Sequence, residues 1–167
     1  MSSVLPIPLF EPMAVADFPR RADLLGQEFP YNDATLGPIL LRLVKAGETL
    51  TSPACWALAW TDDDLGVYSV EAADAATDRP CGVCLPDQVT LAAGDLFYVI
   101  VEGRCKLKNL AGQTITAGNF AICTTTDGLV GDGGSSVTQG VDFARMVEAF
   151  TADSQTKVAE LLHKLVG

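Results

Sequence analysis

The sequence predicts a mainly β protein, a small antiparallel β-barrel or sandwich with an extended N-terminal arm and a short C-terminal helix or hairpin. Three observations carry this. From Leu36 onward, short apolar runs alternate with turn signals. An Ala-Gly-polar step leading into an apolar run recurs at Ala46-Gly47-Glu48, Ala93-Gly94-Asp95 and Ala117-Gly118-Asn119, as expected where glycine supplies a positive φ before a strand. The first 35 residues carry Pro6, Pro8, Pro12, Pro19 and Pro30 with no helical or strand period.

The chain divides into an arm over 1–35, a β domain over 36–150 and a C-terminal segment over 151–167. In the arm, proline density favours extended, polyproline-like backbone. Disordered tails are poor in large apolar residues, whereas this one carries Leu5, Ile7, Leu9, Phe10, Phe18, Phe29 and Tyr31. These are candidate assembly contacts. Burying an aliphatic side chain gains about 1.5–3 kcal/mol, while ordering backbone costs about 1–2 kcal/mol per residue. The two terms nearly cancel, so the arm is expected to order only on an assembly, and removal of 1–35 is expected to leave the β domain folded.

In the β domain, strands are predicted at Ile39–Val44, Cys55–Trp60, Gly66–Val70, Gly82–Leu85, Leu96–Val101, Cys105–Lys108 and Phe120–Thr124. Trp56, Leu58 and Trp60 share one face of their strand, with small residues opposite. Thr61–Gly66 reads as a polar hairpin connection, because its adjacent acids lack the alternate spacing of a calcium loop. In Leu96–Val101, Phe97, Val99 and Val101 lie on one face and Tyr98 and Ile100 on the other. A strand apolar on both sides is covered on both sides, and Tyr98 and Ile100 on its second face are candidate assembly contacts. The glycine-rich span Thr125–Gly140 reads as a flexible surface loop; its GDGG lacks the order and the basic residue of a phosphate loop. Phe143–Phe150 fits strand or short helix. Val158, Leu161, Leu162, Leu165 and Val166 follow a helical period, with Asp153 or Ser154 as cap and Glu160–Lys164 as an i,i+4 pair.

A formal charge of −10 argues against a nucleic-acid groove. Mean hydropathy is +0.27, yet the apolar runs are far shorter than the ~20 residues of a membrane helix. The five cysteines are an odd count, and the N-terminus MSSVLPIPLFEPM lacks the charged and apolar regions of a signal peptide. Synthesis in a reducing cytoplasm and free thiols are expected. The CxxC of Cys81 and Cys84 stands alone, without the partner motif of a zinc site or the strand-to-helix setting of a redox pair. His163 has no metal-binding or nucleophilic partner motif and reads as a surface histidine. Serine-nucleophile, HExxH and Walker motifs are absent, and Lys106 and Lys108 lack the flanking residues of a lipoyl or biotinyl hairpin. No catalytic residue, metal or cofactor is indicated.

Taken in order, ADFPRRADLLGQEF, LGPILLRLVKAGETL, the GVC strand, AAGDLFYVIVEGRCKL, TAGNFAICTTTDG and FARMVEAFTADSQTKV resemble the head decoration, or cement, proteins of tailed bacteriophages, over most of residues 14–158. The resemblance implies a β-tulip-like domain on the outer capsid surface, made in the host cytoplasm. It also implies contact with the major capsid protein across neighbouring subunits, self-association, most often as a trimer, and no catalytic residues. The cysteines and the segment after Phe150 depart from that pattern. Two other readings stay open: another virion component such as a tail protein, and a small β-barrel enzyme or metabolite-binding module, which requires a concave pocket with converging polar groups.

Overall fold

The computed structural model describes residues 14–61, 68–138 and 142–166. Leu5, Ile7, Leu9 and Phe10 of the arm and the acids at 62–64 lie outside the described residues.

The strands are β1 (Glu28–Asp33), β2 (Gly37–Ala46), β3 (Ala57–Trp60), β4 (Ser69–Ala72), β5 (Gly82–Cys84), β6 (Leu96–Lys108), β7 (Phe120–Cys123), β8 (Val130–Gly134), β9 (Ala144–Met146) and β10 (Thr156–Leu161). They form one sheet in the order β1-β2-β4-β3-β5-β6-β10-β9-β7-β8, and β2 also pairs with β6. That extra pairing closes β2, β4, β3, β5 and β6 into a ring. Every strand pair in the sheet is antiparallel except β2 with β4. A second, looser ring runs from the end of β6 through β10, β9, β7 and β8. It is completed where Asn109 and Val130 form a parallel bridge and the Leu110 N–H donates to the Val130 carbonyl at 3.0 Å.

β6 belongs to both rings, which explains its length. Its first half pairs with β2 and β5, and Arg104–Lys108 pairs with β10. Two local features let one strand change partners. Leu40 faces Glu102 while Leu41 faces Ile100, so Val101 is an extra residue, a β-bulge that bends the strand. Gly103 follows with φ +96, and a Cβ there would sit 2.7 Å from the Pro38 carbonyl oxygen, so the crossover needs glycine.

Phe97, Tyr98, Val99, Ile100 and Val101 are all buried, and the cover over Tyr98 comes from the chain itself. The rings of Phe18 and Phe29 each lie 5.6 Å from that of Tyr98, both edge-on. On the Tyr98 side, cover is supplied by residues of the predicted arm. β1 also lies within 1–35 and pairs with β2 along its full length, so the sheet begins before Leu36.

The predicted strands Leu96–Val101 and Cys105–Lys108 are one strand, and the supposed loop Thr125–Gly140 contains β8. The glycines of β8 serve close approach: a Cβ on Gly133 would fall 2.5 Å from Asp142 Oδ1. The C-terminal segment is a strand, not a helix. In β10, Ala159 and Leu161 are buried while Glu160 is exposed, a period-2 pattern that gains partners on both edges, from β6 and β9. Such pairing outweighs helix propensity, which is a weak preference. Lys164 pairs with Glu28 at 2.6 Å, and Asp153 accepts the Gly112 N–H at 2.6 Å instead of capping a helix. The Ala-Gly-polar steps behave as expected at Gly94 (φ +93) and Gly118 (φ +92), whereas Gly47 is not left-handed; there a Cβ would meet Ser69 Oγ at 2.7 Å.

Candidate assembly surface

Both ends of the described chain cross the outside of the first ring. At the N-terminal side, two short 3-10 turns, Val15–Asp17 and Ala22–Leu24, hold Phe18 between them. Phe18 packs against Phe29, Tyr31 and Tyr98 with centroids 5.8, 5.9 and 5.6 Å away. The Tyr98 hydroxyl donates to the Pro19 carbonyl at 2.5 Å. Burial pushes the Tyr98 phenol above its ordinary pKa, while the Arg20 charge opposes this, so the hydroxyl stays protonated as a donor.

At the C-terminal side, residues 162–166 form a strap. The bulge at Val101 leaves its carbonyl free of the β2 ladder, and the Leu165 N–H donates to it at 2.7 Å. Leu165 is 1% exposed. The Arg42 guanidinium donates to the Leu165 carbonyl at 3.1 Å and to the Cys81 carbonyl at 3.4 Å. Trp60 Nε1 donates to the Val166 carbonyl at 2.8 Å, and Arg42 lies over the Trp60 ring at 5.9 Å. Arg42 is 5% exposed, and a buried cation requires a counter-charge. Glu28 supplies it at 2.8 Å and also binds Lys164 at 2.6 Å. Burial raises the Glu28 carboxyl, but hydrogen bonds and charges from Lys164 and Arg42 together hold it below the usual carboxylate value.

The remaining polar chemistry is structural. Asn109, fully buried, donates to the carbonyls of Gln113 and Ala152 and accepts the Gln155 N–H, tying three loops of the second ring together. Asp142 accepts the Thr138 N–H through Oδ2, and its Oδ1 has no conventional hydrogen-bond partner among the described residues. All five cysteines are buried free thiols. Burial pushes Cys55 up to about 11 and Cys123 up to about 12, and it raises Cys81, Cys84 and Cys105 as well. Such thiols carry almost no thiolate at neutral pH and are poor nucleophiles. Cys84 ends β5 and Cys81 stands at the bend before it, and both are free thiols. Among the described residues, no group of three or more His, Cys, Asp or Glu is placed to hold a metal ion, and no helix is long and apolar enough to cross a membrane. His163 is exposed.

Of the predicted contact residues, Phe18, Phe29 and Tyr31 are half-buried in the aromatic cover, and Tyr98 and Ile100 are 1% and 0% exposed. The structure brings Phe18, Phe29, Tyr31 and Tyr98 together in one cluster. Sequence reasoning missed the strap and the Arg42–Glu28–Lys164 network. The available signal was an arginine inside the apolar run ILLRLV, since a buried cation implies a partner elsewhere in the chain.

No protein-family model matches the chain and no curated protein matches it. Among solved structures, the N base of the head fiber gp8.5 of bacteriophage phi29 is similar, with a TM-score of 0.53 at 18% sequence identity. The match covers 75% of this chain and 95% of that one. A likeness of this size at this identity is a shared fold: the ring-forming β architecture of this chain is one also used by the base of a phage head fiber.

Proposed function

We propose that this chain is a structural protein of a tailed-bacteriophage head, a decoration or cement protein. It binds the outer surface of the capsid, stabilises contacts between major capsid protein subunits, and associates with itself, as a trimer. The observation that carries this reading is the shared fold with the head-fiber base, which spans nearly all of that chain. The sequence resemblance to decoration proteins supports a place on the phage head as well. The acidic charge of −10 suits a virion exterior and suppresses nonspecific binding to nucleic acid. A structural role is also in keeping with buried thiols of raised pKa and polar groups committed to holding the fold.

The arm supplies the means of attachment. Leu5, Ile7, Leu9 and Phe10 bring apolar surface without charge, and many copies on one shell gain by avidity what a single arm lacks. Phe18, Phe29 and Tyr31 hold the described part of the arm beside Tyr98.

The test is to mix the purified protein with undecorated expanded heads and, separately, with isolated tails, and to sediment each. Saturable sedimentation with heads at a fixed ratio to the major capsid protein is expected. Sedimentation with tails alone would favour a tail component, and sedimentation with neither would remove the virion reading.

A further inference from the structure

β1 stands at one end of the sheet, and the turn before it fixes which of its residues bond to β2. Gly26, at φ +79, donates its N–H to the Leu43 carbonyl at 2.8 Å, and the Leu43 N–H donates to the Gln27 carbonyl at 3.1 Å. Two residues thus face one, in a bulge that places glycine in the left-handed region. Bonding alternates along an antiparallel ladder, so after Gln27 it is Phe29, Tyr31 and Asp33 that turn their backbone groups to β2, opposite Leu41, Ile39 and Gly37. Glu28, Pro30 and Asn32 turn theirs away. The far side of β2 agrees, since Ala46 bonds Asp95 and Gly94 on the β6 side, the parity opposite to Leu43. Among the described residues, no other chain segment bonds the outward backbone groups of Glu28, Pro30 or Asn32. At the other end of the sheet, β8 is met at Val130 by Asn109 and Leu110.

An open edge is a template for another strand, and the flanking Phe29 and Tyr31 are strand-favouring residues. Pro30 occupies the middle one of the three outward positions, is exposed, and has no N–H to give. We infer that Pro30 guards the β1 edge against the same edge of a second copy of this chain. A second copy is the strand this edge meets most readily, because every molecule carries the identical edge and two of them are related by a twofold axis when they pair antiparallel. Such a pairing sets Glu28 of one copy opposite Asn32 of the other and Pro30 opposite itself, so both N–H groups at the centre of the ladder are missing and two pyrrolidine rings meet there. Sliding one strand by two residues sets Pro30 opposite Glu28 or Asn32 instead. Every register that overlaps more than one outward residue of each strand therefore contains the proline. Self-association is directed to surfaces other than β1, and this inference stands apart from the capsid reading.

The experiment compares the full chain with Pro30→Thr in solution, with no heads present. The substitution supplies an outward N–H and a strand-favouring side chain without touching the bonds to β2, so the denaturant midpoint should stay near that of the parent. Light scattering over a concentration series is expected to give the variant at least about twice the parent's average mass at the highest concentration, since one self-complementary edge joins molecules in pairs. Amide exchange at Glu28 and Asn32 should slow as the variant associates. Pro30→Ala, which restores the N–H with little added bulk, should shift the mass in the same direction. The double variant Pro30→Thr/Asn32→Pro moves the proline to another outward position and should return the mass to that of the parent. Folded Pro30→Thr and Pro30→Ala chains that keep the parent's mass at every concentration overturn the inference, since the proline is then only tolerated at the edge. A double variant that associates as strongly as Pro30→Thr also overturns it, because the contact then lies elsewhere than along β1.

Discussion

The N-terminal cover and the C-terminal strap cross the same ring but are held by different physics. The cover is aromatic: Phe18 sits against Phe29, Tyr31 and Tyr98, with one hydrogen bond to Pro19. The strap is polar and charged: Leu165 and Val166 are held by a bulge carbonyl, a buried guanidinium and an indole N–H. Apolar contact is insensitive to salt and proton concentration, while ion pairs respond to both. The end attached to the arm is therefore fixed in a way that survives changes of medium, and the other end is fixed in a way that does not.

The largest expected effect comes from breaking the strap at its buried charge. Arg42→Ala leaves Glu28 without its buried partner and frees the carbonyls of Cys81 and Leu165, and it should cost about 3–5 kcal/mol. Denaturant unfolding measures this, and a loss below about 1 kcal/mol would show that the strap does not depend on Arg42.

Gly103→Ala tests the crossover on which both attachments depend. A left-handed backbone and a Cβ 2.7 Å from the Pro38 oxygen should cost about 1–3 kcal/mol or more, read as a lowered midpoint in the same titration. Phe18→Ala breaks the cover, and a half-buried aromatic in three edge contacts should contribute about 2–3 kcal/mol. Its effect should be nearly equal in low and high salt, whereas that of Lys164→Ala, whose ion pair with Glu28 is more exposed, should shrink as salt rises.

Acid sharpens the contrast further. The folded Glu28 pKa lies below the ordinary 4.5, so its stabilisation is present above that value and is lost as pH falls through the lowered one. Glu28→Gln should therefore destabilise the protein at pH 7, with an effect that fades as pH falls below 4.5, while Phe18→Ala destabilises throughout. The smallest change is Tyr98→Phe, which removes the bond to Pro19 and should cost about 1 kcal/mol, seen as a small drop in thermal midpoint.

The sequence carried the fold class through its local signals: β2, β3, β5 and β7 all lie within runs of apolar residues bounded by turns. It hid what depends on distant pairing. Strand β1 contains Pro30 and sits among prolines, so it looks like free arm until Gly37–Arg42 is seen beside it. β10 has a helical period in its apolar residues, and only the edges offered by β6 and β9 decide against a helix. β8 is rich in glycine because Asp142 and Ile122 approach closely, a reason invisible without the fold. At the candidate surface, a second apolar face on β6 was legible as needing cover; that Phe18 and Phe29 supply it was not, because both are far from Tyr98 in sequence. It follows that a truncation testing the arm has to stop near Met13, since removing 1–35 also removes β1, Phe18 and Glu28.

The central claim is that the protein binds and reinforces phage heads through its arm. The most direct measurement is the thermal melting of undecorated expanded heads, alone, with the full chain, and with the chain lacking residues 1–13. The full chain should bind at saturating occupancy and raise the melting temperature of the shell. The shortened chain should keep its own unfolding midpoint but bind more weakly and protect less. Heads that melt at the same temperature with and without the full chain would contradict the account.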